Sequence, residues 1–478
     1  MSWYQFIFSF LTWGIFIYSL LIFAFYIFIG IFSIGETRTY LSKNSFTDYR
    51  LLASSPYTPG VSILAPAYNE AATIIENVRS LLSIFYSNIE VIILNDGSKD
   101  DTLQKLIAAY DLQLIPYHVN YQIKSNAVRG VYKSKKPVYK KLVVVDKENG
   151  GKADTLNVGI NIASKDYIVC IDVDCVLEQD ALLKMVKPFM EAGDEKVIAS
   201  GGVLSIANSC VIEDGKLVKV VLPKEYLPRM QTVEYLRAFL LGRMAWSRMN
   251  ALMLISGAFG AFDKDIVIKA GGYNPNTVGE DMELVVRMRR YMEEQQLKYR
   301  VTYIPDPLCW TEAPNSFAVL RRQRNRWTRG TFETLDMHRV MFFNRKYHIL
   351  GLLSYPYWFF FELCAPLIEF IGFMFFIFQA SFGIIEWSFF FALFSFIISF
   401  SYLYSSFSIF MEVLTYNQFK QKRNVRKLLL TVLTEPFVFH PFIVWSAIEG
   451  FIDLILKEKS WGEMTRTGFG KKTAVQPE

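Results

Sequence analysis

VSILAPAYNEAATIIENVRSLLSIFYSNIEVIILNDGS, residues 61–98, opens on a short apolar run and turns through Tyr68-Asn69-Glu70 into an amphipathic stretch. It closes on a second apolar run that stops at Asn95-Asp96-Gly97-Ser98. The pattern predicts strands over Val61–Ala65 and Glu90–Leu94 with a helix over Ala72–Ile84 between them. It recurs downstream. Strands are expected over Lys141–Val145, Tyr167–Ile171 and Val197–Ser200, and helices over Asp101–Tyr110, Ala153–Ala163 and Asp180–Met190. Such alternation implies an α/β domain with a mostly parallel sheet covered by helices on both faces. In those sheets ligands collect beyond the carboxyl ends of the strands, where Tyr68–Glu70, Asn95–Ser98 and Asp172-Val173-Asp174 all fall.

Outside this domain the composition changes. The chain has 478 residues, 52% hydrophobic and 16% aromatic, and residues 1–35 contain no Lys, Arg, Asp or Glu. Phe6–Ile34 exceeds the ~20 apolar residues that span a bilayer as helix. It lacks the basic start and short apolar core of a cleaved signal, so a retained membrane helix is expected. Further apolar runs are Ile349–Phe378, Trp387–Phe410 and Leu428–Leu456. Lys and Arg concentrate in Arg38–Arg50, Arg321–Lys346 and Lys420–Lys427 and are missing from Gln379–Glu386. By the positive-inside rule the middle domain is cytoplasmic, and the second and third runs form a hairpin out and back. The fourth run is interrupted by Glu435, Pro436, His440, Pro441, Glu449 and Asp453. A re-entrant or interfacial hairpin broken at the two prolines would keep the basic tail (Lys457, Lys459, Arg466, Lys471, Lys472) inside; a single crossing is the other reading. The net charge of +6 is met by anionic lipid and calls for no nucleic acid. The five cysteines form no CxxC pair and no zinc spacing.

Several polar groups carry chemistry, each with a plainer reading beside it. Asp172 and Asp174 end a strand two residues apart. A divalent ion with oxygen ligands would neutralise them and bridge a diphosphate; an acidic turn is the alternative. Asp96 offers a carboxylate to a base N–H, or forms an Asx turn. Gly150-Gly151-Lys152-Ala153 lacks the upstream Gly and the Ser/Thr of a P-loop, which argues against an ATPase. Lys152 at a Gly-rich helix start either meets a phosphate or is an exposed lysine. Glu280 and Asp281 open an amphipathic stretch, as a base on a rigid helix start or as acidic residues suited to a helix N-terminus. Gln323, Arg326 and Trp327 share a face if their segment is helical. That face offers an amide, a diphosphate-binding fork and an aromatic surface for a sugar; an interfacial helix with a Trp anchor is the alternative. Glu362 and Glu369 share one face of the second apolar run. A polymer path there competes with snorkelling or a structural hydrogen bond.

With these residues in hand, the chain resembles the membrane-embedded family 2 glycosyltransferases: cellulose, chitin, hyaluronan and poly-N-acetylglucosamine synthases. The resemblance covers roughly Val61 to Gly330 plus the flanking helices. It rests on Ala65–Glu70, Asn95–Ser98, Gly151–Asn157, the DVD at 172–174, Ser256-Gly257-Ala258, the GED at 279–281 and the QRNRW at 323–327. It implies a GT-A fold and an inverting transfer from a UDP-sugar with Mg²⁺ or Mn²⁺. By the same carry-over Tyr68, Asn69, Glu70 and Asp96 hold the uridine, Lys152 lies near the phosphates, and Asp172 and Asp174 hold the metal-diphosphate. Asp281 is the base. Gln323, Arg326 and Trp327 bind diphosphate and acceptor sugar, and Ser256, Gly257 and Glu280 lie near the acceptor end. GED replaces the commoner TED, so the threonine hydroxyl is gone while Asp281 stays. The 22 residues after Leu456 are too few for the nucleotide-sensing domain of bacterial cellulose synthases, which favours N-acetylglucosamine as the donor sugar.

The expected division is a membrane helix at 1–35, a cytosolic linker at 36–60, the GT-A domain at 61–346 with the QRNRW helix, a helical hairpin at 347–412, and a basic loop, re-entrant or membrane segment and tail at 413–478. The expected partners are a UDP-sugar, a growing polysaccharide, the lipid bilayer of the inner (plasma) membrane, and export or accessory proteins. Transfer of one or a few sugars to a lipid, or a catalytically silent scaffold, are the competing functions.

Overall fold

Strands that are apolar on both faces need cover on both sides of the sheet, and the central strands of this chain are built that way. The computed structural model describes residues 3–55, 57–419 and 421–456. Its strands are β1 (Val61–Ala67), β2 (Ile89–Asn95), β3 (Leu112–Ile115), β4 (Val128–Ser134), β5 (Leu142–Lys147), β6 (Tyr167–Ile171), β7 (Val176–Leu177), β8 (Lys196–Ile206), β9 (Val211–Glu213), β10 (Lys216–Lys219), β11 (Phe259–Asp263) and β12 (Tyr299–Thr311). Ten of them form one sheet in the order β3-β4-β5-β2-β1-β6-β11-β8-β12-β7, while β9 and β10 make a separate ribbon. The central β5, β2, β1 and β6 run parallel, as expected. Beyond them the sheet is mixed: β11 runs antiparallel to both β6 and β8, and β3 and β4 fold back antiparallel at the edge. That edge hairpin lies between the second and third expected strands, Glu90–Leu94 and Lys141–Val145.

Register brings the polar turns together. Ala67 pairs with Asn95, and Asn95 with Asp146, so the chain leaves β1, β2 and β5 at one level. Leu64 pairs with Cys170, which puts Asp172 just past the same edge. Strands lie ~4.8 Å apart, so the turns after β2, β1 and β6 follow one another along a single crevice. The helix Gly151–Ile162 seats tightly on the sheet because Gly159 has no side chain. A Cβ there would lie 2.7 Å from Leu94 Cδ1 and 3.2 Å from Leu64 Cδ1.

The described residues divide into two compact units, residues 46–223 with 253–313 and residues 3–45 with 224–252 and 314–456. The first contains every strand. The second contains four helices long and apolar enough to cross a membrane: Phe8–Asn44, Leu350–Ser381, Trp387–Thr415 and Lys422–Leu456. The expected domain at 61–346 is therefore interrupted. Its helices Tyr226–Tyr235 and Phe317–Met337 belong to the apolar-helix unit, because Leu227, Met230 and Leu320 bury their side chains with Phe439 of the fourth apolar run.

That fourth run does not break into a hairpin. Lys422–Leu456 is one helical stretch of 35 residues. A π-helical turn at Glu435–Phe439 takes up Pro436, and Pro441 stands in the first turn of the following helix His440–Leu456. A proline inside a continuous helix removes a main-chain hydrogen bond, and a π-helical turn beside it lets the helix run on. The acidic interruptions have partners. Asn325 Nδ2 donates to Asp453 at 2.7 Å, and Arg321 lies 3.5 Å from Glu449. The basic tail lies outside the described residues.

Candidate active site

β6 ends at Ile171 and delivers Asp172 and Asp174 into the crevice. One ligand atom from each, with the Cys175 sulfur, lies within 4.8 Å of the others. A hydrogen bond to Cys309, with burial, pushes the Cys175 thiol well up. The two carboxylates are donors that suit a hard divalent ion rather than a soft one.

Lys152, in the first turn of Gly151–Ile162, pairs with Asp172 and donates to the Gly257 carbonyl at 3.1 Å. Burial works against its charge. Asp172, then Glu280 and Asp281, outweigh that and hold the ammonium above the ordinary lysine range. The Gly257 N–H, on the other side of its Cα, donates to Asp281 Oδ2 at 2.9 Å. A single residue thus joins the Lys152–Asp172 pair to Asp281. Gly257 must be small here: a Cβ would lie 3.0 Å from Asp281 Oδ2. Asp281 starts the helix Glu280–Glu294, and its Oδ1 accepts from Met282 N at 2.8 Å. A carboxylate has about four acceptor positions. Two protein donors leave Asp281 room for a hydroxyl proton. Beneath it, Asn157 pins the approach to this helix, donating to Tyr273 O at 2.8 Å and accepting from Tyr273 N at 2.7 Å.

Asp96 is in the opposite situation. Its Oδ1 accepts from Lys147 Nζ at 2.7 Å and Gly150 N at 2.9 Å. Its Oδ2 accepts from Gly151 N at 2.9 Å and Asn149 Nδ2 at 3.3 Å. All four positions are engaged by protein. Lys147 is fully buried and also bridges to Asp154 at 2.9 Å. Two N–H groups at the start of Gly151–Ile162 are consequently spent on Asp96. Beside them this helix start carries the Lys152 ammonium, a donor suited to an anion. The Tyr68–Glu70 turn is stapled to the Asp96 loop: Asn69 N donates to Ser98 Oγ at 3.0 Å, Lys99 N to Asn69 Oδ1 at 2.8 Å and Glu70 N to Thr102 Oγ1 at 2.9 Å. Tyr68 is exposed beside them. Ser256 caps its own turn, accepting from Ala258 N at 3.4 Å.

Gln323, Arg326 and Trp327 lie in the apolar-helix unit, on the helix Phe317–Met337, and share a face as expected. Gln323 Oε1 is buried without a hydrogen-bond partner among the described residues, and Trp327 is 40% exposed. The buried Arg324, unforeseen from the sequence, stacks on that Trp ring. Its i, i+3 spacing to Trp327 was the available signal. Lys147 carried none, since a buried lysine next to a strand reads as an exposed one. Glu362 and Glu369 both have partners, Tyr357 Oη at 3.1 Å and His440 Nε2 at 2.6 Å, in keeping with structural hydrogen bonds.

A parallel-centred sheet with paired carboxylates, a lysine and a helix-start aspartate along its crevice is the arrangement of a GT-A fold. The chain matches the family models Glycosyl transferase family 2 over residues 62–208 and Glycosyl transferase family group 2 over residues 167–411, and it belongs to that family. It is 32% identical over 279 residues to a poly-β-1,6-N-acetyl-D-glucosamine synthase of Staphylococcus aureus, covering 58% of this chain and 55% of that protein. The same enzyme of Staphylococcus epidermidis is 29% identical over 305 residues, covering 63% and 62%. The chain thus spans a little over half the length of these curated relatives. Among solved structures, the mannosyltransferase PcManGT of Pyrobaculum calidifontis, in complex with GDP-Man and Mn²⁺, superposes with a TM-score of 0.50 at 17% identity. It covers 87% of this chain and 99% of its own, and shares the fold.

Proposed function

We propose that this protein is an inverting, metal-dependent glycosyltransferase that moves N-acetylglucosamine from a UDP-sugar onto a growing β-linked polysaccharide. The observation that carries the proposal is Gly257, whose carbonyl and N–H tie a cation-and-carboxylate cluster to a carboxylate with spare acceptor capacity. The staphylococcal relatives support the choice of sugar. Asp172 and Asp174 would hold Mg²⁺ or Mn²⁺, which when bound supplies positive charge to the departing diphosphate.

The remaining steps fall to the chain itself. Lys152, kept protonated by its acidic neighbours, stabilises negative charge developing on the same group. Asp281 takes the proton of the acceptor hydroxyl, on the face of the donor sugar away from the diphosphate. Its helix start and the Gly257 N–H fix its orientation. The nucleoside lies along Tyr68–Glu70 and Asp96. To accept a base N–H, Asp96 gives up the longest of its four bonds, that from Asn149 at 3.3 Å. Gln323, Arg326 and Trp327 serve the acceptor and the diphosphate. The apolar helices seat the protein in the inner membrane as a multi-pass protein, with the basic segments and the catalytic unit on the cytoplasmic side. Export of the product along those helices, with or without accessory proteins, belongs to the same proposal.

The test is turnover of labelled UDP-N-acetylglucosamine by purified protein with Mg²⁺ or Mn²⁺, followed by linkage-specific digestion of the product. Asp281→Asn is expected to lose on the order of 10²–10⁴-fold in turnover while still binding UDP. Full activity in that variant overturns the base assignment. A lipid carrying one or two sugars, in place of polymer, overturns the polymerase reading.

A further inference from the structure

Arg324 is an unusual arginine. It lies inside the QRNRW segment, its side chain is only 5% exposed, and its guanidinium carbon sits 4.1 Å from the centroid of the Trp327 ring. The two residues are three apart on one helix, so both project from the same face. The far side of the guanidinium is held by Glu234 of the helix Tyr226–Tyr235, Nη2 to Oε2 at 2.7 Å. A carboxylate normally takes an arginine through two parallel N–H bonds. Here Arg324 Nε is buried with no hydrogen-bond partner among the described residues. The guanidinium forgoes the paired bonds of a bidentate ion pair, and its carbon sits over the indole.

An indole has two faces, and Arg324 closes one. Trp327 is nevertheless 40% exposed, which leaves the rest of the ring accessible. We propose that Arg324, anchored by Glu234, is a positioning residue that locks the Trp327 ring and leaves a single face for the acceptor sugar. This rests on the reading of Trp327 as the acceptor platform. A ring held at one angle gives each incoming chain end the same seat, whereas a ring free to turn about its side-chain torsions does not. The guanidinium itself touches no reacting atom.

The test measures transfer to β-linked N-acetylglucosamine oligomers of defined length, using the full chain in lipid nanodiscs. Arg324→Leu and Arg324→Lys both remove the guanidinium from over the ring, and Lys keeps the charge. Each is expected to raise the KM for the oligomer about 3- to 30-fold, the usual range for a cation–π contact, with a smaller change in kcat. Glu234→Gln leaves the arginine in place and should give a weaker effect of the same kind, so the proposal stays testable if the Arg324 variants fold poorly. In the Trp327→Ala background the Arg324 effect should vanish, because there is no ring left to position. Additive losses in the double variant, or a fall in kcat with the oligomer KM unmoved, overturn the proposal. A Trp327→Ala protein with normal oligomer KM overturns instead the acceptor reading beneath it, and the two failures are told apart by that single variant.

Discussion

Replacing Gly257 by alanine adds one methyl group at the junction between the Lys152 cluster and Asp281. The new Cβ would lie 3.0 Å from Asp281 Oδ2 and 3.1 Å from Asp281 Cβ, closer than nine in ten real contacts of this kind, so Asp281 must retreat by a few tenths of an ångström. The Gly257 backbone is not in the left-handed region, so the substitution brings no strain of its own. Misplacing a reacting group by 1 Å costs on the order of 10²-fold in rate. A shift of 0.3–0.5 Å scales to roughly a 4- to 10-fold loss. Gly257→Ala is thus expected to lower kcat by about that factor while leaving the KM for the UDP-sugar close to its original value, since the methyl points at the base and not at the nucleotide turns. Initial rates over a range of donor concentrations, with saturating oligomer acceptor, read both quantities. An unchanged kcat, or a raised donor KM with kcat intact, would show that Gly257 does not set the position of Asp281.

Trp327→Ala should impair transfer to an acceptor more than hydrolysis of the donor by water; equal losses would make the ring a membrane anchor only. Lys147→Met should leave Asp96 and Asp154 as uncompensated buried carboxylates, a loss of about 3–5 kcal/mol by the usual size of breaking a buried pair. It should show as a lower thermal unfolding midpoint than that of Lys147→Arg, and equal midpoints would argue against the network. Chelation of divalent ions should stop turnover, and Mn²⁺ or Mg²⁺ should restore it. Asp174→Asn should blunt the restoration, and full recovery in that variant would remove Asp174 from the ligand set.

The parallel core was legible because its strands are continuous apolar runs punctuated by polar turns. β1, β2, β5 and β6 fall within two residues of their expected bounds, and so do the helices Thr102–Tyr110, Gly151–Ile162 and Ala181–Met190. β11 and β12 escaped. The first is five residues long, and the second carries Pro305 and Pro307, which sit where its pairing with β8 slips register. Proline inside a strand argues against the strand unless the ladder is irregular there, and irregularity is not visible in one sequence. The two prolines of the fourth apolar run suggested a break among its acidic residues. Those residues instead have partners, Glu449 and Asp453 on the helix Phe317–Met337 and Glu435 at Arg237, tertiary facts that hydropathy does not carry. The Asp96 carboxylate accepts from the distant N–H groups of Gly150 and Gly151, contacts across more than fifty residues that neither a local Asx turn nor a single sequence would show.

The three-residue knot of Asp96, Lys147 and Asp154 also limits how the gene can drift. A lone change of the lysine strands two negative charges in the interior, and a lone change of either aspartate weakens the counterion that the lysine needs. Viable descendants should therefore alter these three codons in concert or keep them all, so that their joint inheritance could be checked by counting substitutions alone.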